Sequence, residues 1–177
     1  DQDRVSMGFQ DMPQTVKDAV VAAENRTFWT DNGVDPKGIL RAVFNNASGN
    51  DRQGASTITQ QYVKILYLTT EQSYSRKVKE AIIATKLSRR DTKEEILEGY
   101  LNTIYFGRGA YGVEAASQVF FGHAAKDMDL RESAVLASVI NNPTRFDPAN
   151  GKEAKQNLKD RYAYVLNGMV AAGTIEA

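Results

Sequence analysis

Cysteine is absent from this 177-residue sequence, and histidine occurs once, at His123. The lack of cysteine excludes disulfide scaffolds, thiolate nucleophiles and cysteine-based zinc sites. A single imidazole excludes any chemistry that needs two, and a Ser-His-Asp mechanism would have to use His123 alone. If the protein is an enzyme, carboxylates, lysine and arginine must therefore carry most of its chemistry.

Net charge and long apolar runs are also missing. The 22 basic and 22 acidic residues balance, which argues against a dominantly electrostatic nucleic-acid binder, although a local basic patch remains possible. The longest apolar stretch, residues 134–140, is far shorter than the ~20 residues of a membrane helix. The first residues are polar and do not resemble a signal peptide. A composition of 42% hydrophobic and 25% charged residues is typical of one ordinary globular domain.

Helical periodicity dominates the sequence, and strand signals are weak. Thr92 and Glu95 have the spacing of a capping box, which predicts a helix start, and Gly173 is a plausible C-cap. Residues 45–54 and 106–109 are predicted to be non-helical. The pattern indicates one mainly α domain. Its predicted helices include residues 16–23, 63–67, 78–87, 92–101, 130–140 and 152–172.

Glu24 is the first candidate catalytic residue. It ends an apolar helix face, directly after Ala23. A carboxylate among apolar neighbours is desolvated, which raises its pKa and makes it a general base or acid near neutral pH. The alternative is a solvated glutamate at a helix end, paired with Arg26 or Lys17.

The polar segment from Gly54 to Lys64 is the second candidate. Thr57 and Gln60 have capping-box spacing, so a helix is predicted to begin here, and exposed N–H groups at such an end can bind an anion. Lys64 lies one turn after Gln60 and could add a positive charge. The segment lacks the Gly-Lys-Ser/Thr of a Walker motif. The alternative is an ordinary capped helix.

The basic segment at residues 76–80 is the third candidate. Arg76 and Glu80 are four residues apart, so they share a helix face and could simply pair on the surface. The three cations of the segment could instead hold a pyrophosphate, with Glu80 either orienting them or binding a metal ion. The alternative is a solvated basic helix face.

In this order, the segments resemble glycosyltransferase family 51, the peptidoglycan polymerase domain of class A penicillin-binding proteins and monofunctional transglycosylases. The resemblance covers about residues 13–172. The motifs that carry it are Glu24-x-Arg26-x-Phe28, Gly54-Ala-Ser-Thr-Ile-Thr-Gln-Gln61, Arg76-Lys-x-x-Glu80, Ile96-Leu-Glu-x-Tyr-Leu-Asn102 and Arg108-Gly-x-x-Gly-Val-x-Ala-Ala116.

The resemblance implies a lysozyme-like helical domain over residues 1–177, with a small flexible jaw lobe at about residues 27–55. It implies that lipid II is polymerised into β-1,4 glycan strands by inverting transfer, with release of undecaprenyl pyrophosphate. The implied partners are lipid II, the growing strand, the outer leaflet of the membrane and other cell-wall synthesis proteins, with no nucleic acid. The implied location is the extracytoplasmic face of the bacterial membrane, with an anchor outside this chain.

The family's functional positions are carried over residue by residue. Glu24 matches the general base, and Glu80 matches the second essential glutamate, which is implied to orient cations or to hold Mg²⁺ or Mn²⁺. No organic cofactor is implied, because the donor is already activated. The implied substrate-binding residues are Ser56, Gln60, Gln61, Lys64, Arg76, Lys79 and Asn141.

The sequence departs from the family pattern where Ala55 replaces the second glycine and where His123 stands in place of a frequent Lys. It also departs at three further positions. Asn25 stands where Asp is usual, Asp31 where His is frequent, and Gln72 where several members have an arginine. Two other functions remain open. One is a lysozyme-like enzyme that cleaves glycan, suggested by a single helical glutamate. The other is an inactive module that binds lipid II, suggested by these departures.

Overall fold

Helices make up most of the computed structural model, which describes residues 5–36, 56–67, 74–140 and 142–177. The predicted mainly α class is confirmed. In these ranges the structure contains eight α-helices and one antiparallel hairpin. In chain order the elements are α1 (Gln14–Glu24), α2 (Ile58–Tyr67), α3 (Tyr74–Arg90), α4 (Lys93–Thr103), β1 (Tyr105–Gly107), β2 (Ala110–Tyr111), α5 (Val113–Phe121), α6 (Leu130–Val139), α7 (Pro143–Phe146) and α8 (Lys152–Ala171).

Two reciprocal capping boxes start helices where the sequence predicts them. At α4, Glu95 N donates to Thr92 Oγ1, and Thr92 N donates to the Glu95 carboxylate. At α2, Gln60 N donates to Thr57 Oγ1 over 3.1 Å, and Thr57 N donates to Gln60 Oε1 over 3.0 Å. Each box satisfies two backbone N–H groups that a helix end leaves without partners. Local sequence therefore fixes the first turn of both helices.

The central helix of the core is α1, which packs against α6 and α8, while α2 packs against α3 and α4. The apolar face predicted for α1 is buried, with Val16, Ala19 and Val20 fully inaccessible to solvent. Alanines on this face keep the interhelical distance short, because that distance depends on the side chains at the contact. The C-terminal end of α1 meets the start of α2, where Oδ1 of the C-cap residue Asn25 accepts a hydrogen bond from Ile58 N over 3.1 Å.

The hairpin and α5 are elements that the periodicity does not predict. Residues 106–109, predicted to be non-helical, belong to the hairpin, in which Tyr105 pairs with Tyr111. Arg108 is held in the turn by two hydrogen bonds to the Asp147 carboxylate, at 2.8 and 2.6 Å. The helices of the described ranges are each too short or too polar to cross a bilayer.

Part of the predicted jaw lies outside the described residues. Residues 27–36 are described and form turns after α1, whereas residues 37–55 fall outside the described ranges, as does the predicted non-helical segment 45–54. The jaw boundaries and the single-domain organisation stay predictions.

Gly33 connects the turn after α1 to α3. Its φ is +85°, and a Cβ at this position would lie 2.5 Å from the backbone oxygen of Ala84. Gly33→Ala is expected to lower the free energy of unfolding by about 2–4 kcal/mol, because both a left-handed backbone and an overpacked contact are unfavourable. Chemical denaturation measures the change.

Gly109 provides the matched control. Its φ is +76°, but no heavy atom would lie within 4 Å of an added Cβ. Gly109→Ala therefore isolates the backbone contribution, which is about 1–2 kcal/mol. Equal losses at the two glycines would contradict the packing argument for Gly33.

Candidate active site

Glu24 is buried at the end of α1, with 6% of its side chain exposed. Its Oε1 accepts a hydrogen bond from Arg161 Nη2 over 3.0 Å, and its Oε2 accepts one from Gln61 Nε2 over 3.1 Å. Burial raises the pKa of Glu24, and the Arg161 charge and the two hydrogen bonds oppose this without cancelling it. The alternative pairing with Arg26 or Lys17 is wrong, because Arg161 is the ion-pair partner.

Gln61 is oriented by the buried hydroxyl of Tyr100. Tyr100 Oη donates to Gln61 Oε1 over 2.9 Å. Burial, with a smaller contribution from the charge of Glu24, raises the pKa of Tyr100 well above its ordinary value, so the hydroxyl stays protonated and remains a donor. Since the amide oxygen of Gln61 accepts this bond, its nitrogen must face Glu24. The chain thus presents an amide donor to the carboxylate.

Arg161, on α8, is a site residue that the sequence does not reveal. It is 137 positions from Glu24, and its Nη2 also donates to the backbone oxygen of Ala23 over 3.0 Å. Its Cζ lies 4.7 Å from the centre of the Tyr164 ring, and the Cζ of Arg26 lies 4.8 Å from the same centre. One sequence feature could have indicated that Arg161 faces the interior. It precedes the buried Val165 by one helical turn, which places both residues on the inner face of α8.

A second group of charged residues lies at the start of α3. Glu80 is 2% exposed and pairs with Lys77, whose Nζ lies 2.5 Å from Glu80 Oε1 and donates to Ser56 Oγ over 2.7 Å. The alternative in which Arg76 and Glu80 pair at the surface does not describe Glu80, which is buried and bonded to Lys77. The spacing of three residues is the signal that could have identified Lys77.

The two groups are linked through the start of α2. Gln61 Nε2, which donates to Glu24, also lies 3.4 Å from the backbone oxygen of Ser56, whose hydroxyl accepts from Lys77. A path of hydrogen bonds therefore runs from Glu24 through Gln61, Ser56 and Lys77 to Glu80. The structure thus brings together four of the residues that the sequence singles out as candidates.

The other candidate residues have different surroundings. Gln60 is 1% exposed, and its Oε1 accepts from Thr57 N in the capping box. Lys64 on α2 and Lys79 on α3 are exposed, and Arg76 is half-buried on α3. Asn141 and Gln72 lie outside the described residues.

The fit of the site to a metal ion is limited. In the described part of the chain, no group of three or more histidine, aspartate or glutamate side chains is placed to hold one. The carboxylate of Glu80 already has the ammonium of Lys77 as a partner. A Mg²⁺ ion here would need phosphate oxygens and water for most of its ligands, an arrangement that Mg²⁺ commonly adopts.

The sequence matches the family described as Transglycosylase over residues 1–170. It is 44% identical to penicillin-binding protein 1A of Mycolicibacterium smegmatis over 177 residues, which cover 97% of this chain and 22% of that protein. It is 46% identical to penicillin-binding protein 1A of Aquifex aeolicus over 175 residues, covering 98% of this chain and 24% of that protein. With penicillin-binding protein 4 of Bacillus subtilis the identity is 39% over 175 residues, or 98% of this chain and 28% of that protein.

The chain belongs to the transglycosylase family, as its motifs predict. The family match and the relatives confirm the predicted class of enzyme, a peptidoglycan glycosyltransferase. The chain spans between a fifth and a third of the length of these relatives.

Proposed function

We propose that this domain polymerises lipid II into β-1,4 glycan strands, with Glu24 as the general base. The observation that carries the proposal is the path from a buried, desolvated Glu24 through Gln61 and Ser56 to the cation Lys77. It joins a base to a positive charge within one site. A base and a cation are the two groups that transfer from a lipid pyrophosphate requires.

The reaction is a single displacement. Glu24 accepts the proton of the 4-hydroxyl of the acceptor GlcNAc while that oxygen attacks C1 of the donor MurNAc. The bond from C1 to the phosphate oxygen breaks, its electron pair leaves with undecaprenyl pyrophosphate, and the α-linked donor gives a β-linked product. A positioned base contributes about 10²–10⁴-fold to such a step. Arg161 and Gln61 favour the ionised form of Glu24 that the reaction needs, against the opposing effect of burial on its pKa.

Stabilisation of the leaving group is assigned to α2 and α3. Charge that develops on the pyrophosphate is best met by fixed cations. Lys77 is held by Ser56 and Glu80, and the lysines on the exposed surfaces of the two helices are free to reach a bound phosphate. The proposed donor contacts are Ser56, Gln60, Gln61, Lys64, Arg76, Lys79 and Asn141, with Lys77 added from the geometry.

A divalent cation at Glu80 is a further part of the proposal. Mg²⁺ or Mn²⁺ bound there together with the substrate phosphates would neutralise part of their charge. The proposed location is the extracytoplasmic face of a bacterial membrane, with an anchor outside this chain. The proposed partners are the outer leaflet, the growing strand and other cell-wall synthesis proteins.

Incubation of the domain with lipid II in detergent and divalent metal tests the proposed function. We expect long glycan products and released undecaprenyl pyrophosphate, with moenomycin as an inhibitor control. Shortening of finished glycan strands without lipid II would instead support a glycan-cleaving enzyme. Tight binding of lipid II without turnover would support the inactive module.

Lys77 and Lys79 provide a comparison within one helix. Lys77→Met is expected to lower the polymerisation rate by about 10-fold, because a charge-assisted hydrogen bond contributes about 1.5–3 kcal/mol. Lys79→Met removes the same charge two residues away. Both lysines are exposed, but only Lys77 is held by Ser56 and Glu80 in the described part of the chain, so the effect at Lys79 is expected to be smaller. Initial rates at saturating lipid II measure both. A larger loss at Lys79 would reverse the assignment.

A further inference from the structure

The side chain of Asn25 connects the end of α1 to the start of α2. Asn25 directly follows Glu24, and its side chain is buried. Its Oδ1 accepts from Ile58 N over 3.1 Å, and its Nδ2 donates to Asp31 Oδ2 over 3.0 Å and to Thr27 Oγ1 over 3.1 Å. The amide therefore uses its acceptor on one helix and its donor on the turn after the other.

The orientation of this amide is fixed by its partners. The backbone nitrogen of Ile58 can only donate, so it requires the amide oxygen. The carboxylate of Asp31 can only accept when ionised, so it requires the amide nitrogen. If the amide were turned over, its nitrogen would face the donor Ile58 N and its oxygen would face the carboxylate of Asp31. Asparagine satisfies both sides, and neither an ionised aspartate nor leucine could do so.

Asp31 is in turn held by donors from several elements. Its Oδ1 accepts from Lys93 Nζ over 3.1 Å and from Gly33 N over 3.0 Å, and its Oδ2 accepts from Thr27 Oγ1 in addition to Asn25. Its side chain is 7% exposed. Four donors therefore occupy both oxygens of this carboxylate and fix its position.

The bond between Asn25 and Ile58 also determines where Gln61 lies. Asn25 directly follows the base Glu24 at the end of α1. Ile58 lies three residues before Gln61, within the first turn of α2. Fixing Asn25 against Ile58 therefore fixes the first turn of α2 relative to the end of α1. The contact between Gln61 Nε2 and Glu24 Oε2 lies at that same junction.

We propose that Asn25 is a positioning residue for Glu24. It acts through its pair with Asp31, in which Asn25 is the donor and Asp31 is the acceptor. The amide of Asn25 donates to Asp31 and accepts from α2, and this holds Gln61 against the base. The inference rests on the proposed function for its activity readout.

Asn25→Asp tests the proposal with almost no change of shape. It places two carboxylates 3.0 Å apart, and two such groups cannot both stay ionised, so they hold one proton between them. That proton restores the bond to Asp31 at mildly acidic pH and is lost as the pH rises. We expect the rate of Asn25→Asp, relative to wild type, to be about 10–100-fold down at mildly alkaline pH and to recover as the pH falls.

The other charged groups near the pair do not change between the variants. Lys93 on α4 contacts Asp31, and Glu24 is the neighbouring titratable residue on α1. The uncharged residues Thr57 and Ile58 face the pair from α2, and α3 presents Ala84 and Ser88 to the same turn at Gly33. Dividing each rate by the wild-type rate at the same pH removes the titration that the variants have in common. A negative charge at position 25 would also raise the pKa of Glu24 and so lower the ratio at acidic pH, which is opposite to the expected recovery.

The double variant N25D/D31N exchanges the two side chains and restores the pairing. An asparagine at position 31 can donate to the new aspartate and keep its own oxygen for Gly33 N and Lys93. We expect this variant to polymerise within about threefold of wild type at all pH values tested, because it recovers both hydrogen bonds. Asp31→Asn alone sets two amide donors against each other, so its loss should not depend on pH.

The outcomes separate the inference from the proposed function. An inactive wild-type domain would contradict the function, and thermal unfolding of the same four proteins would still report whether N25D/D31N restores what each single change loses. The inference would be overturned if the wild type is active but the rate of Asn25→Asp relative to wild type does not change with pH. It would also be overturned if the double variant is no more active than the single ones.

If Asn25→Asp does not fold, the double variant must fold and polymerise, and its failure would also overturn the inference. Asn167→Asp, at an exposed position of α8, controls for the added charge.

Discussion

Glu24→Gln is expected to eliminate glycan polymerisation while the domain stays folded. The amide has nearly the same shape as the carboxylate and can still accept a bond from Arg161, but it cannot take a proton from the acceptor hydroxyl. Loss of a positioned base lowers the rate by about 10²–10⁴-fold. Gel analysis of products from lipid II gives the rate, and thermal unfolding shows whether the variant is folded.

Two further variants make this result specific. Glu153→Gln, at an exposed position in the first turn of α8, removes the same charge away from the site and should leave the rate unchanged. Glu80→Gln should also slow the reaction, but through its partner Lys77, so the acid side of its pH–rate profile should match that of the wild type. Normal polymer formation by Glu24→Gln would show that Glu24 is not the base.

Features encoded by residues within one turn of each other were predictable from the sequence. The capping boxes at Thr57 and Thr92 depend on residues three positions apart, and both form as predicted. The burial of Glu24 was also predictable, since the apolar face of α1 continues to its last turn. In each case a local pattern is sufficient because the partners belong to one helix.

The partners of the two glutamates could not be assigned from the sequence. The partner of Glu24 depends on tertiary packing, and Glu80 has two possible partners on its own helix. Arg161 reaches Glu24 across 137 positions, and no local pattern connects the two. At Glu80 the helical spacing permits a pair with either Arg76 or Lys77. The pair with Lys77 is accompanied by its contact with Ser56, which lies 21 positions away on another segment.

The helix α5 was missed for a different reason. Glycines flank it at both ends, Gly112 with a φ of 84° and Gly122 with a φ of 79°, and no side chain caps its start. The usual N-terminal signal of Ser, Thr, Asp or Asn is therefore missing. Its first residues lie within the Arg108–Ala116 motif, where the glycines suggest a turn and not a helix start.

Arg161→Met is expected to change both the rate and its pH dependence. Arg161 supplies the positive charge that opposes the effect of burial on Glu24, so its removal raises the pKa of Glu24 further. A general base works only when ionised, and its activity is lost as the pH falls through its pKa. The acid side of the profile should therefore move to higher pH. The rate at neutral pH should fall by about 10²–10⁴-fold, because breaking a buried ion pair typically has an effect of about 3–5 kcal/mol.

The pH dependence distinguishes positioning of the base from a general loss of structure. Arg161→Lys keeps a cation near Glu24 but not the second bond to Ala23, so it should lose less activity and shift the profile less. Arg131→Met removes an exposed arginine from α6 and serves as the matched control. A loss in Arg161→Met that is equal at every pH would contradict control of the ionisation of Glu24. A loss that diminishes as the pH rises would show that Arg161 keeps Glu24 ionised for the reaction.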